Sequence, residues 1–171
     1  MSEITARTLP EQSLLMHYKV NGDYTDCFTV DVEGTISQQQ FVTAFYTSRL
    51  FKVERFILRW LVNKPSTDRQ AADMATGAVN TFAAWTVEGR MAEQLLLCDY
   101  QGRTCSWLMV EALAESDRAN TRLLFGTAVV SVTNARTRRK YMPFLFRVLA
   151  GFHRLYAKAL LRSALAKLVL R

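Results

Sequence analysis

Among the side chains able to do chemistry, Asp26 stands out by its neighbours. The segment YTDCFTVDV alternates in the manner of a β-strand, which puts Tyr24, Asp26, Phe28, Val30 and Val32 on one face and Thr25, Cys27, Thr29 and Asp31 on the other. A carboxylate sharing a face with apolar side chains is costly to bury ionised, and without a partner its pKa would rise toward the range useful for acid or base work. Pairing with a basic residue of the C-terminal segment, or exposure of the strand end, is the commoner outcome, because buried acids usually have partners. His17 and His153 are the only histidines and lie far apart in the chain, so neither a zinc site nor a histidine-based catalytic group announces itself. His153 reads more readily as a hydrogen-bonded core or boundary residue. The three cysteines, Cys27, Cys98 and Cys105, fit no metal-ligand spacing and read as reduced thiols. Cys98 and Cys105 flank the DYQGR turn and on neighbouring strands would make a redox pair, although free cysteine behaves as a small apolar residue in most cores. No Gly-x-Ser-x-Gly elbow, phosphate-binding glycine loop or dinucleotide fingerprint is present, which removes support from nucleophilic hydrolysis, nucleotide use and Rossmann cofactors. Neither a metal nor a cofactor is expected.

The elements that must position these groups follow from punctuation and periodicity. Half of the 171 residues are hydrophobic and 22% are charged, the balance of one globular domain spanning 1–171. Residues 1–13 are polar, contain Pro10, and read as a loosely held arm. SLLMHYKV is open to a strand or a short leading segment, and Asn21-Gly22-Asp23 is a turn. Gly34 ends the first long strand, and Ser37 with Gln40 forms a capping box for a helix. Phe41, Phe45, Phe51, Phe56, Trp60 and Leu61 keep broadly helical spacing, with a break expected at Thr47-Ser48. A shorter helix capped by Ser66 or Thr67 closes at Gly77. Four strand-like segments then follow, TFAAWTVEGR, EQLLLCDY, TCSWLMVEAL and TRLLFGTAVVSV, and their short polar connections favour an antiparallel meander. A long helix is predicted from Pro143 to the C-terminus.

The formal charge is +7, but its placement says more than its size. From Arg118 to Arg171 there are 12 Lys and Arg and no Asp or Glu. If the last helix extends back to Lys140, then Lys140, Arg147, Arg154, Lys158 and Arg162 fall in an arc of roughly 80°, leaving Leu, Phe, Val and Ala for most of the rest of the circumference. Such a band suits an anionic membrane surface or a partner protein, and a plain solvated face is the commoner meaning of a charge run. Nucleic acid is disfavoured, because no reading motif accompanies the band. The same charges interrupt every apolar run short of a membrane span, and MSEITARTLPEQ lacks the basic start and apolar core of a signal peptide, so cytoplasmic residence is the expectation.

Strand, helix pair, antiparallel meander, long C-terminal helix: this order resembles the helix-grip fold of the START and birch-pollen-allergen-like (SRPBCC) superfamily over roughly residues 20–171. The phrases DYTDCF, AFYTSRLFKVERFILRWL, SWLMVE and PFLFRVLAGFHRLYAKALLRSA are similar to those of a bacterial branch of it. The resemblance implies an α+β fold in which a curved antiparallel sheet wraps a long C-terminal helix, with a helix pair after the first strand. It also implies an apolar cavity for a lipid, isoprenoid or polyketide-like molecule. Such a cavity would be lined from inward strand positions and the near face of the helix: Asp26 and Phe28 in the first strand, Trp85, Trp107, Met109 and Phe125 in the meander, and Phe152 and Tyr156 in the helix. Aromatic residues at these spacings are more often plain core. The alternative is an interaction module that docks through Arg147, Arg154, Lys158 and Arg162 on a partner protein, a second copy of the chain or an acidic membrane surface. Catalysis is left open.

Overall fold

The computed structural model describes residues 3–62, 65–113, 120–133, 140–141 and 144–169. The fold is α+β and of helix-grip type. In chain order the elements are β1 (Thr5–Ala6), α1 (Met16–Val20), β2 (Tyr24–Glu33), α2 (Gln38–Tyr46), α3 (Arg49–Val62) and α4 (Asp68–Thr76). The meander strands β3 (Thr81–Phe82), β4 (Trp85–Arg90), β5 (Gln94–Asp99), β6 (Thr104–Leu113) and β7 (Asn120–Val129) come next. The short pair β8 (Val132–Thr133) and β9 (Lys140–Tyr141) precedes α5 (Phe144–Val169).

Seven strands form one curved antiparallel sheet in the order β1-β2-β7-β6-β5-β4-β3. The last strand of the meander returns to pair with the first long strand along ten register positions, from Tyr24 opposite Val129 to Glu33 opposite Asn120. The helices intervening between β2 and β3 therefore have one face of the sheet to cover.

Local chemistry sets the element ends. Ser37 Oγ accepts from the Gln40 N–H at 3.2 Å while Gln40 Oε1 accepts from the Ser37 N–H at 2.8 Å, so two N–H groups left over at the start of α2 are satisfied. Thr67 and Gln70 repeat the arrangement at the start of α4, which ends at Gly77 with φ 87°, a backbone conformation that favours glycine. Thr47 and Ser48 separate α2 from α3, as the spacing predicts. On β2 the period of two places Phe28 and Val30 under the helices and Cys27 on the opposite side.

Two apolar layers result. The helical layer joins Phe41, Phe45, Tyr46, Met74 and Phe51 to Leu97, Leu108, Leu123 and Phe125 of the sheet. Here α5 contributes Ala157, Leu160, Leu161 and Ala164, an i, i+3, i+4, i+7 stripe that lies against α2 and α3 as well as β2 and β7. The second layer covers the other face of the sheet with Leu9 and Leu15, over Leu96, Trp107, Met109 and Leu124. Residues 1–13, expected as a loose arm, are corrected from Ile4 onward. Ile4 and Leu9 are buried, and β1 pairs with β2. The reason is that the sheet has apolar side chains on both faces, and among the described residues it is the N-terminal segment that covers the second one.

The expectation of three reduced thiols is also corrected. Cys98 and Cys105 stand directly opposite each other in the β5–β6 register and are joined as a disulfide, while Cys27 keeps a free thiol.

Candidate functional site

A cavity of about 330 Å³ lies between the sheet, the α2–α3 junction and α5. Each wall is traceable to a local feature of the sequence. The break at Thr47-Ser48 lets Phe45 and Phe51 converge from two helices, with ring centroids 6.0 Å apart. Phe125 of β7 meets Phe45 at 4.6 Å. From α5 come Tyr156, Ala157 and Leu160, where alanine leaves room that a larger side chain would fill. The β5–β6 turn supplies Asp99, Tyr100 and Thr104, and since Tyr100 is 60% exposed the cavity reaches the surface at this turn.

The polar groups in this apolar wall are few. Ser106 projects from β6 on the helical side and its hydroxyl bonds the Tyr46 hydroxyl at 3.0 Å, both residues being buried. Thr127 donates twice to Asp26 Oδ1, from its hydroxyl at 2.6 Å and from its backbone N–H at 3.1 Å. The Tyr24 hydroxyl donates to Asp26 Oδ2 at 3.3 Å. Burial, followed by the neighbouring Asp26 charge, pushes the Tyr24 phenol up to about 12, so it remains a donor at any physiological pH. Trp85 lines the cavity and its buried indole N–H has no hydrogen-bond partner among the described residues. A buried, unmatched donor is costly to leave without an acceptor.

The structure brings together part of the predicted set. Trp85, Phe125 and Tyr156 line the cavity. Asp26 stands one residue behind it, bound to Thr127, and so is paired rather than aimed at a ligand. Phe28 is core, with the Lys158 ammonium 5.7 Å above its ring. Trp107 and Met109 are corrected outright, since they lie on the opposite face of the sheet. In antiparallel register directly opposed residues share a face, and Trp107 opposes Gly126 and Met109 opposes Leu124, whereas Phe125 opposes Leu108. Trp107 instead donates its indole N–H to Gln94 Oε1 at 2.9 Å, and the same oxygen accepts from the Leu14 N–H. The side chains of Arg147, Phe152 and His153 lie outside those described.

The basic band is narrower than expected. Arg154 and Arg162 are exposed, but Lys158 is half-buried and turned toward Phe28, which takes it out of a solvent-facing stripe. Phe45, Phe51, Ser106 and Asp99 were not foreseen in the lining. For the two phenylalanines the helix break was the signal, because residues just before and after a break can aim at one point. For Ser106 it was the parity of β6, which puts Ser106 and Leu108 opposite in sense to Trp107.

Among the described residues no helix is long and apolar enough to cross a membrane. Glu88, Cys98 and Cys105 form a cluster of ligand-type atoms within 4.8 Å of one another; both cysteines belong to the second apolar layer, and Cys105 also borders the cavity. No family model matches the chain, and no curated protein matches it either. A solved structure, CalU16 from Micromonospora echinospora, is similar over 99% of this chain and 94% of that one, at 10% identity and a TM-score of 0.31. A likeness of that degree carries nothing over to this chain.

Proposed function

We propose that the chain binds a compact apolar molecule carrying a hydrogen-bond acceptor, in the cavity between sheet and α5, and that it is a divergent member of the START-like superfamily. The observation that carries the binding reading is the cavity itself: aromatic on most sides, about 330 Å³ in volume, and fitted with an unmatched indole N–H. Support for the superfamily comes from the order of elements and the closure of β2 on β7. A volume at the low end of the roughly 300–1,000 Å³ typical of small-molecule sites favours a single isoprenoid or a small-ring polyketide over a two-chain lipid. An acceptor on that molecule, such as a carbonyl or hydroxyl oxygen, would satisfy Trp85.

The test is native mass spectrometry and organic extraction of the purified chain, beside Ala157→Leu, which fills the cavity, and Trp85→Phe, which removes only the donor. An apolar compound that is retained by the parent chain, weakened in Trp85→Phe and lost in Ala157→Leu is the expected result. Absence of any bound compound, together with uptake of an apolar fluorescent dye that Ala157→Leu leaves unchanged, would sink the proposal.

A second reading has one observation in its favour. Leu155 is 63% exposed on the same side of α5 as Arg154 and Arg162, an apolar residue between cations that suits an anionic membrane surface. It predicts flotation with anionic vesicles that is lost in Arg154→Glu with Arg162→Glu. No flotation at low salt would remove it.

A further inference from the structure

Cys98 and Cys105 take no part in the binding proposed above, although Cys105 borders the cavity, and among the described residues the hydrogen-bonding side chains at the pair lie against Cys98. The Cys98 sulfur has Glu88 Oε2 at 2.7 Å and the Tyr18 hydroxyl at 3.3 Å. The Tyr18 hydroxyl in turn donates to Glu88 Oε2 at 2.7 Å, and His17 Nε2 stands 3.3 Å from Glu88 Oε1. A disulfide sulfur has no proton to donate, so with Glu88 ionised the contact is a hydrogen bond only when Cys98 is a thiol. The pair is therefore placed for two states, an S–S bond in one and an S–H···O bond to Glu88 in the other.

Both sulfurs are buried, but Cys98, 6% exposed, sits beside Glu88 and His17, whose side chains are 39% and 50% exposed, whereas Cys105 is 0% exposed and borders the cavity. Glu88 reaches this position because the β4–β5 register shifts between Val87 and Gly89. As a staple the bond adds little, because it joins two strands already paired over five register positions.

We propose that Cys98–Cys105 is a thiol–disulfide exchange site for low-molecular-weight thiols and disulfides, with Cys98 the attacking and attacked sulfur, Cys105 the resolving one and Glu88 the proton acceptor. In the oxidising direction Glu88 takes the Cys98 proton, and the Cys98 thiolate attacks a small disulfide, forming a mixed disulfide and releasing one thiolate. Cys105 then loses its proton to that thiolate and attacks Cys98, expelling the second small thiolate, which takes up the proton held on Glu88. Two protein thiols and one small disulfide become one protein disulfide and two small thiols. Reduction runs the same steps backward, starting with attack of a small thiolate on Cys98.

The experiment equilibrates the folded full-length chain in glutathione buffers of graded thiol-to-disulfide ratio, counts thiols by alkylation and mass spectrometry, and follows the oxidation rate. The expected result is a reversible loss of two thiols per chain in one step, with Cys27 unaffected. Glutathione should be trapped on Cys98 in Cys105→Ser and should not be trapped on Cys105 in Cys98→Ser. Glu88→Gln, which can still accept from Tyr18, should slow oxidation about tenfold or more, with partial rescue by Glu88→Asp. A disulfide that glutathione cannot reduce in the folded chain would overturn the proposal, as would equal trapping on both cysteines. One zinc ion per reduced chain that prevents re-oxidation would overturn it too.

Discussion

Trp107 and Gly126 face each other across the β6–β7 ladder, and a Cβ on Gly126 would lie 3.0 Å from the indole Cε3. It would also meet the Asp26 carbonyl oxygen at 2.8 Å and Leu15 Cδ2 at 3.0 Å. Glycine is required here for close approach, since backbone cannot move aside as a flexible side chain can. Gly126→Ala is expected to cost about 2–3 kcal/mol by overpacking, read as a drop in urea midpoint at unchanged slope. Trp107→Phe should also destabilise, by about 1–3 kcal/mol through loss of the bond to Gln94. Neither variant should alter what the cavity retains, because the indole lies on the far side of the sheet.

Acid stability should depend on the Arg55–Asp68 pair. Arg55 is 9% exposed, donates to Ser66 Oγ at 2.9 Å and Asp68 Oδ1 at 2.6 Å, and lies 5.5 Å over the Phe82 ring. Partial burial tends to raise the Asp68 carboxyl, but hydrogen bonds from Lys52 and Arg55 and their positive charges outweigh it and hold the group below its ordinary value. A depressed carboxyl contributes stability above the unfolded-state value of about 3.9, and that contribution is lost as pH falls through the folded value. Asp31, lowered by its paired contact with Arg122, acts in the same direction. Asp68→Asn should therefore lose stability at pH 6 and show a flatter decline below pH 4, measured by denaturant midpoints across pH.

Cys27 should resist alkylation in the folded chain. Burial, reinforced by the neighbouring Asp26 charge, pushes its thiol up to about 12, so almost no thiolate exists at pH 8. Iodoacetamide at pH 8 should label it only under unfolding conditions. Labelling of the folded chain at a rate near that of a free thiol would contradict the packing described for the N-terminal segment.

Lys167 closes the C-terminal end of α2. Its ammonium donates to the Thr47 carbonyl at 2.9 Å and to the Thr47 hydroxyl at 2.5 Å, linking the last turns of α5 to the C-terminal end of α2, where a cation is also favoured by the helix dipole. Lys167→Met keeps most of the aliphatic stem and removes the bonds. A loss of about 1–2 kcal/mol is expected, together with faster amide exchange at Ser48 to Phe51.

The order of elements was legible because it rests on local signals. Both helix caps, the Gly77 stop, the Thr47-Ser48 break and the meander strands are written in adjacent residues. What escaped was relational. The alternation of β6 was evident, but alternation gives two faces without naming the inner one. Only the pairing of Trp107 with Gly126 decides that the largest indole of the strand points away from α5. The arm at 1–13 escaped for a related reason: its polar composition hides Ile4 and Leu9, whose burial depends on a sheet face assembled from distant strands. The lysine at 158 belonged by angle to the basic band, and the reach of its flexible stem took it to Phe28.

The bonds that Gln94 makes to Leu14, Gln12 and Trp107 have a practical corollary. A version trimmed to begin after Leu15 would strip the cover from Trp107, Leu96 and Leu124 and present an adhesive plate to water. Such a product would gather into precipitate or fibrils even with the cavity on the other face undamaged.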